Sequence, residues 1–265
     1  MTIRFLLAAL AALLLALPAR AEFDGAIEAQ LRPGWRLPNG DHIAALHMKL
    51  APGWKTYWRA PGDAGIPPAF DWQGSRNVDR VAVIFPTPHV FYQSGMRSVG
   101  YKNELLLPLR IATEDGAAEI RLKGVVEIGV CKDVCLPHTI RFDMALPGSG
   151  ARPDPMIAAA MADVPFTADE AAVRAVRCIV SPTPDGLRLR AEIDMPGTGG
   201  REEVVVEAGD PMIWVAEPST RRSGGTLVAE ADMMHLSQTA FALDRSRLRI
   251  TVLGAKTAVD IQGCR

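Results

Sequence analysis

A chain of 265 residues that is 48% hydrophobic and 22% charged can bury an ordinary core and is long enough for two modest domains, which excludes a disordered polypeptide. Its 29 basic and 30 acidic residues are well mixed, so no block offers a docking patch for nucleic acid or for an anionic membrane surface. In chain order, residues 1–21 come first: Arg4, an apolar core from Phe5 to Leu17, then Ala19-Arg20-Ala21. This is the pattern of a cleavable secretory signal with an A-x-A site. The apolar core is too short to span a bilayer, Pro18 ends it, and no cysteine follows to carry a lipid anchor. The mature chain is expected to start near Glu22 with 27 basic against 30 acidic residues. No later run approaches the length of a membrane span, so the exported chain is expected to be soluble and not itself membrane-spanning. An exported chain meets an oxidising compartment, where disulfides persist.

From residue 22 onward the apolar residues recur at every second position, as half-buried strands require. Leu46, Met48 and Leu50 alternate; so do Ile120, Leu122, Val126, Ile128 and Val130, and then Ile140, Phe142, Met144 and Leu146. Turn clusters separate them, among them Arg32-Pro33-Gly34, Leu37-Pro38-Asn39-Gly40 and Ala60-Pro61-Gly62-Asp63. The expected fold is all-β, an immunoglobulin-like antiparallel β-sandwich over residues 22–147. A Pro/Gly/Ser-rich shift at Pro147 opens a linker over 148–165, in which Asp154 is placed to cap a short Ala/Met-rich helix. The strand pattern resumes with Leu187, Leu189, Ala191 and Ile193, then Val204 to Val206, then Leu248, Ile250 and Val252. Residues 166–265 are therefore expected to form a second, smaller β-sandwich.

Four cysteines allow three pairings, and sequence alone does not choose among them. A Cys178–Cys264 bridge would enclose about 87 residues and stabilise the fold by roughly 4 to 5 kcal/mol in the chain-entropy model, as a structural staple does. A Cys131–Cys135 bridge closes only five residues, for about 2 kcal/mol. Stability is a weak reason for the second pair. In a continuous strand, residues four apart lie about 13 Å from one another, outside disulfide reach, so Lys132 to Val134 must turn tightly. Tight turns impose non-ideal geometry, and strained disulfides are the more easily reduced ones. Both cysteines are odd-numbered, whereas Ile128, Val130, Ile140 and Phe142 are even, so without a bulge at Gly129 both sulfurs face away from the core. Trp54 and Trp72 are expected to pack, while Tyr57 and Trp58, as strand neighbours, cannot both point inward, so one of them serves a surface.

Three segments resemble a known family: Pro86-Thr87-Pro88-His89-Val90-Phe91-Tyr92, Gly100-Tyr101-Lys102-Asn103-Glu104-Leu105 with its continuation to Leu109, and Val130-Cys131 to Cys135-Leu136-Pro137. They are similar to the N-terminal periplasmic domain of the thiol:disulfide interchange protein DsbD and the related copper-sensitivity suppressor proteins. The run from Leu50 to Pro67 is similar to the second branch. The resemblance implies an immunoglobulin-like domain whose cysteine pair, here Cys131 and Cys135, takes electrons from a membrane-embedded thiol reductase and passes them to periplasmic thioredoxin-like or disulfide-bearing proteins. It also implies a cap loop at Phe91 and Tyr92 that covers the disulfide. The cysteine spacing is shorter than in the best-known members, the sequence shows no thioredoxin-type C-x-x-C, and the chain is expected to act as a stand-alone soluble member with a separate membrane partner.

Of the modulators, Lys132 lowers and Asp133 raises the pKa of a neighbouring thiol, and His138 is a candidate local base or cation. Which cysteine attacks stays open, as does the direction of electron flow. Replacing Cys135 by Ala is expected to trap a mixed disulfide. Two rival readings remain. In one, Cys131, Cys135 and His138 form a C-x-x-x-C-x-x-H set for copper(I), a soft ion suited to thiolates and imidazole, although the leading reading needs no cofactor. In the other, both disulfides are staples of an adhesion or assembly domain.

Overall fold

The computed structural model describes residues 25–93, 95–148 and 151–264. The expected export signal, residues 1–21, and Ser149-Gly150 of the expected linker lie outside them. Ten strands come first: β1 (Ile27–Arg36), β2 (His42–Leu50), β3 (Lys55–Tyr57), β4 (Ala69–Asp71), β5 (Arg80–Val83), β6 (His89–Gln93), β7 (Met96–Lys102), β8 (Glu104–Ala112), β9 (Ile120–Cys131) and β10 (Cys135–Leu146). They form two sheets, ordered β1-β2-β8-β5 and β10-β9-β3-β7-β6, with β4 also paired to β9. The alternating residues of β9 and β2 turn their apolar side chains to the space between the sheets. There Trp58, with no exposed surface, packs with Leu46, Met48, Leu107, Val126 and Val130.

A short helix, α1 (Pro155–Ala162), follows. Asp154 caps it by accepting a hydrogen bond from the Met156 N–H, and holds Arg32 of β1 in an ion pair. Its one fully buried residue, Ile157, fills a pocket made by Ile43, Ala45 and Leu106. The remaining strands are β11 (Phe166–Thr167), β12 (Ala175–Thr183), β13 (Gly186–Asp194), β14 (Glu203–Glu207), β15 (Ile213–Val215), β16 (Ser219–Ser223), β17 (Thr226–His235), β18 (Arg249–Leu253) and β19 (Ala258–Gln262). They build a second pair of sheets, β11-β19-β18-β14 and β12-β13-β17-β15, with β16 also on β17. All pairings are antiparallel except β11 with β19, which is parallel and joins only two residues of each strand. Cys178 of β12 and Cys264 beyond β19 are bridged across this second core, with Cα atoms 5.8 Å apart.

The two halves share apolar surface. Val205, Leu253 and Ala258 from the second half pack into the same cluster as Trp58 and Val99. Polar ties surround the seam: Arg59 grips Glu207 with two nitrogens, and the buried Arg97 donates to the carbonyl of Val204 at 3.0 Å while facing Glu203 at 3.5 Å.

Two stability outcomes follow from this arrangement. Replacing both Cys178 and Cys264 by Ala should lower the unfolding free energy by about 4 kcal/mol in urea titrations, without changing the reduction potential of Cys131–Cys135. Partial desolvation raises the pKa of Asp163, an exposed residue at the end of α1, against a smaller opposite pull from His89. A carboxyl whose folded pKa exceeds its unfolded value contributes stability below the unfolded pKa and loses it as pH rises through the folded pKa. Asp163→Asn should therefore match the parent protein at pH 3 and be more stable at pH 7, as read by thermal unfolding at the two pH values.

Candidate functional site: a covered disulfide on the outer face of a sheet

Cys131 ends β9 and Cys135 begins β10, and the two are direct cross-strand partners with Cα atoms 4.1 Å apart, joined as a disulfide. The turn between them is Lys132-Asp133-Val134, closed by the Lys132 N–H donating to the Val134 carbonyl at 3.1 Å. The β9–β10 register is continuous, with no bulge at Gly129, so both cysteines occupy the face opposite to Ile128 and Val130. Facing away from the core does not leave both exposed. Cys131 is 1% exposed, whereas Cys135 is exposed.

Burial of Cys131 arises because the outer face of this sheet is itself covered. Tyr57 of β3 lies on it, and its hydroxyl is 3.4 Å from Cys135 Sγ and donates to the carbonyl of Ala64 at 3.1 Å. Burial raises the Tyr57 pKa, so the hydroxyl keeps its proton and remains a donor. Over the ring folds the loop of residues 60–67. A Cβ added to Gly129 would lie 2.8 Å from Ile66 Cβ and 3.2 Å from the Tyr57 ring, and one added to Gly100 would lie 2.1 Å from the Thr56 carbonyl oxygen. These two positions must be glycine for Tyr57 and the loop to sit down on the sheet. Tyr57 and Trp58 are thus both buried, on opposite faces: Trp58 in the core and Tyr57 against the disulfide. Neither serves an open surface, because the loop supplies a second layer. Trp54 and Trp72 are half-buried and pack, Trp72 against Phe70 and Phe142.

Two lysines lie on the same face of the sheet as the sulfurs. Lys55 of β3 is the cross-strand partner of Cys131 on one side and of Lys102 on the other, so the three share the outer face. Burial, and then repulsion from Lys102, lowers the Lys55 pKa. Phe91 of β6 sits on the same face, with Lys102 Nζ 4.3 Å and Lys55 Nζ 6.0 Å from its ring centre.

The residues singled out in the sequence are not all gathered here. Phe91 shares the face of the disulfide, but Tyr92, its strand neighbour, points the other way. Its hydroxyl donates to Glu203 at 2.7 Å and accepts from Arg201 at 3.0 Å, tying β6 to the second half of the chain. Tyr92 is therefore no cover for the disulfide. Lys132 leads away from the sulfurs across Gly53, where an added Cβ would lie 3.1 Å from Lys132 Cε. Asp133 is exposed in the turn. His138 pairs with Ile128, on the face of β10 opposite to Cys135. A three-residue step along a strand always reverses the face, so the Cys131, Cys135 and His138 set proposed for copper is not assembled. Among the described residues no group of three or more His, Cys, Asp or Glu is placed to hold a metal ion. The residues that sequence reasoning did not tie to the disulfide are Tyr57, Ile66, Lys55 and Lys102. The glycines opposite Tyr57 were the readable signal for the first two.

A cysteine hairpin on the outer face of an immunoglobulin-like sandwich, under an aromatic cover, defines a thiol-disulfide class of domain. Residues 20–147 match the family described as "Thiol:disulfide interchange protein DsbD, N-terminal". No curated protein matches the chain. Among solved structures, the N-terminal periplasmic domain of ScsB from Proteus mirabilis is similar over 94% of this chain and 95% of its own, with 22% identity and a TM-score of 0.70. Its likeness extends beyond the family match, through the second pair of sheets.

The cover can be tested without a partner. Reduction of Cys131–Cys135 by dithiothreitol should quicken about tenfold or more in Tyr57→Ala, which removes the ring, and stay within about twofold of the parent in Tyr57→Phe, which keeps it. Equal rates in all three proteins would show that the ring does not limit access.

Proposed function

We propose that this chain is a periplasmic thiol-disulfide exchange protein that carries an electron pair between a membrane-embedded thiol reductase and disulfide-bearing periplasmic proteins through Cys131 and Cys135. The observation that carries the reading is the asymmetry of a covered disulfide: one sulfur belongs to an exposed residue and the other to a buried one. Oxidised protein is reduced when a donor thiolate attacks Cys135 Sγ. The bond from donor sulfur to Cys135 forms, the Cys131–Cys135 bond breaks, and its electron pair leaves on Cys131, which takes up a proton. A second donor thiolate then attacks the donor's own sulfur and releases Cys135. Two electrons and two protons have moved, and the donor has become a disulfide. Delivery to a client runs the same steps in reverse, with Cys135 attacking and Cys131 resolving.

Each neighbour has a part in these steps. The Lys55 ammonium, held on the face of Cys131 beside Lys102, stabilises the thiolate that forms there when the disulfide opens. Tyr57 donates to Ala64, which leaves its oxygen able to accept from a Cys135 thiol in the reduced state. Tyr57 and the loop of residues 60–67 restrict which thiolates reach the sulfurs, so small thiols are slow and a docking protein that displaces the cover is fast.

Exposure of Cys135 moves the trapping variant from the one expected in the sequence to its partner. Cys131→Ala, which keeps the attacking thiol and removes the resolving one, should accumulate mixed disulfides with periplasmic proteins in cells, and Cys135→Ala should accumulate few. Non-reducing gels followed by mass spectrometry read both. Absence of adducts from both variants would overturn the exchange reading, and adducts only from Cys135→Ala would reverse the roles of the two cysteines.

A further inference from the structure

Large apolar side chains that remain exposed are concentrated in one place outside the disulfide face. Met212 is 43% exposed, Trp214 37%, Met234 39% and Leu236 60%. Trp214 and Met234 are cross-strand partners in β15 and β17, and the Leu236 N–H donates to the Met212 carbonyl at 2.8 Å, so the four form one surface. It opens into a cavity of about 790 Å³ with Leu187, Pro184 and Phe241 among its walls. Exposed Trp and Met are the side chains that dominate binding at interface centres, and the thioether adapts to varied partners.

This surface is continuous with the disulfide. Trp214 Nε1 donates to Asp63 Oδ1 at 3.2 Å, and Asp63 belongs to the loop whose other end, Ile66, covers Gly129 and Tyr57. Ile66 is 41% exposed and Val134, in the cysteine turn, 55%. A protein that brings its sulfur to Cys135 covers about 800 Å² in a standard interface, a disc of roughly 16 Å radius, so its body extends over this loop toward Trp214. Charge narrows the occupant further. Among the described residues, Asp185 is the one aspartate, glutamate, lysine or arginine that lines the cavity, and Asp63 bonds Trp214 of its wall, so an acidic segment would be repelled.

Resting on the exchange reading above, we propose that Met212, Trp214, Met234 and Leu236 form the docking surface for an apolar segment, with neutral or basic flanks, of the cysteine-bearing protein that exchanges with Cys131–Cys135. The second half of the chain then supplies recognition, and the first half the chemistry.

The test uses the reduced, full mature chain and synthetic peptides whose single cysteine is a mixed disulfide with thionitrobenzoate. A spacer of about two to eight Gly/Ser residues, reaching up to roughly 25 Å, separates the cysteine from Leu-Phe-Leu flanked by Lys, from Leu-Phe-Leu flanked by Glu, or from Ser-Ser-Ser. Glutathione disulfide serves as the small substrate. At the best spacer the Lys-flanked apolar peptide should react about tenfold faster than the serine peptide, with the Glu-flanked one between. Trp214→Ser combined with Leu236→Ser should reduce the preference to within twofold, and Leu236→Ser alone, which removes no hydrogen bond, should reduce it in part. The rate with glutathione disulfide should be unchanged in Leu236→Ser, which leaves the Trp214–Asp63 hydrogen bond to the covering loop in place. An unchanged preference in the variants, or none in the parent protein, overturns the docking surface and leaves the exchange reading standing. Failure of the parent protein to react with glutathione disulfide and every peptide overturns both.

Discussion

The direct cross-strand pairing of Cys131 with Cys135 is the constraint from which the site follows. Residues opposite one another in an antiparallel hairpin share a face, and alternation then assigns every neighbour. Val130, Ile128 and Val126 must point into the core, while Gly129, Lys55, Tyr57, Lys102 and Gly100 share the outer face with the sulfurs. Redox chemistry is thereby separated from the core by one layer of backbone. Opening the bond changes only groups on the outer face, and the packing around Trp58 has no need to respond. The same geometry leaves the sulfurs without protection from the core, so a cover has to be built over them from elsewhere in the chain.

That cover depends on close approach. Tyr57 rests against Gly129, and β3 approaches β7 at Gly100 so closely that no side chain fits between them. Gly65 permits the next layer, since a Cβ there would lie 2.8 Å from the Tyr57 ring and 2.3 Å from Pro61. The result is a stack of sheet, ring and loop in which the first sulfur is buried and the second is not. Phe91 of β6 lies on the same face of the sheet, beside two lysine ammonium groups. The strand that carries it is anchored by Tyr101, whose hydroxyl donates to the Pro86 carbonyl at 2.8 Å, and by the Thr87 N–H on the Asp163 carbonyl at 2.6 Å.

Much of this was legible in the sequence because it rests on period-two patterning and turn chemistry. The strands around Leu46, Ile128 and Ile140, the tight turn at Lys132 to Val134 and the outward parity of both cysteines are local properties. Asp154, whose side chain caps α1, is another local signal. What could not be read is set by contacts between distant segments. Parity placed Cys131 on the outer face, yet only the fold of residues 60–67 back over Tyr57 buries it. Tyr92 lies beside Phe91 in sequence, and alternation sends it to Glu203, a partner 111 residues away. His138 failed as a partner of Cys135 for the same reason, one that an extended strand would have revealed had its register been known. Lys55 became a neighbour of Cys131 only through the β3–β9 pairing, which joins segments 76 residues apart.

The seam between the halves decides whether the second pair of sheets can matter to the disulfide. Arg97 is 5% exposed, and a guanidinium taken out of water costs several kcal/mol unless nearly all its donors are met. It donates from Nη2 to the Val204 carbonyl, while Nε stands 3.5 Å from Glu203 without a hydrogen bond, so that cost is only partly offset and the ion pair adds little net stability to the seam. Stability of the seam comes instead from Val205, Leu253 and Ala258, which enter the core cluster of the first half and could not leave it without exposing apolar surface to water. Apolar burial thus holds the halves together, with Arg59–Glu207 and Arg97–Val204 as polar ties across the same seam. A seam of that kind keeps Trp214 at a set position beside Asp63, and therefore beside the loop that any partner of Cys135 must displace.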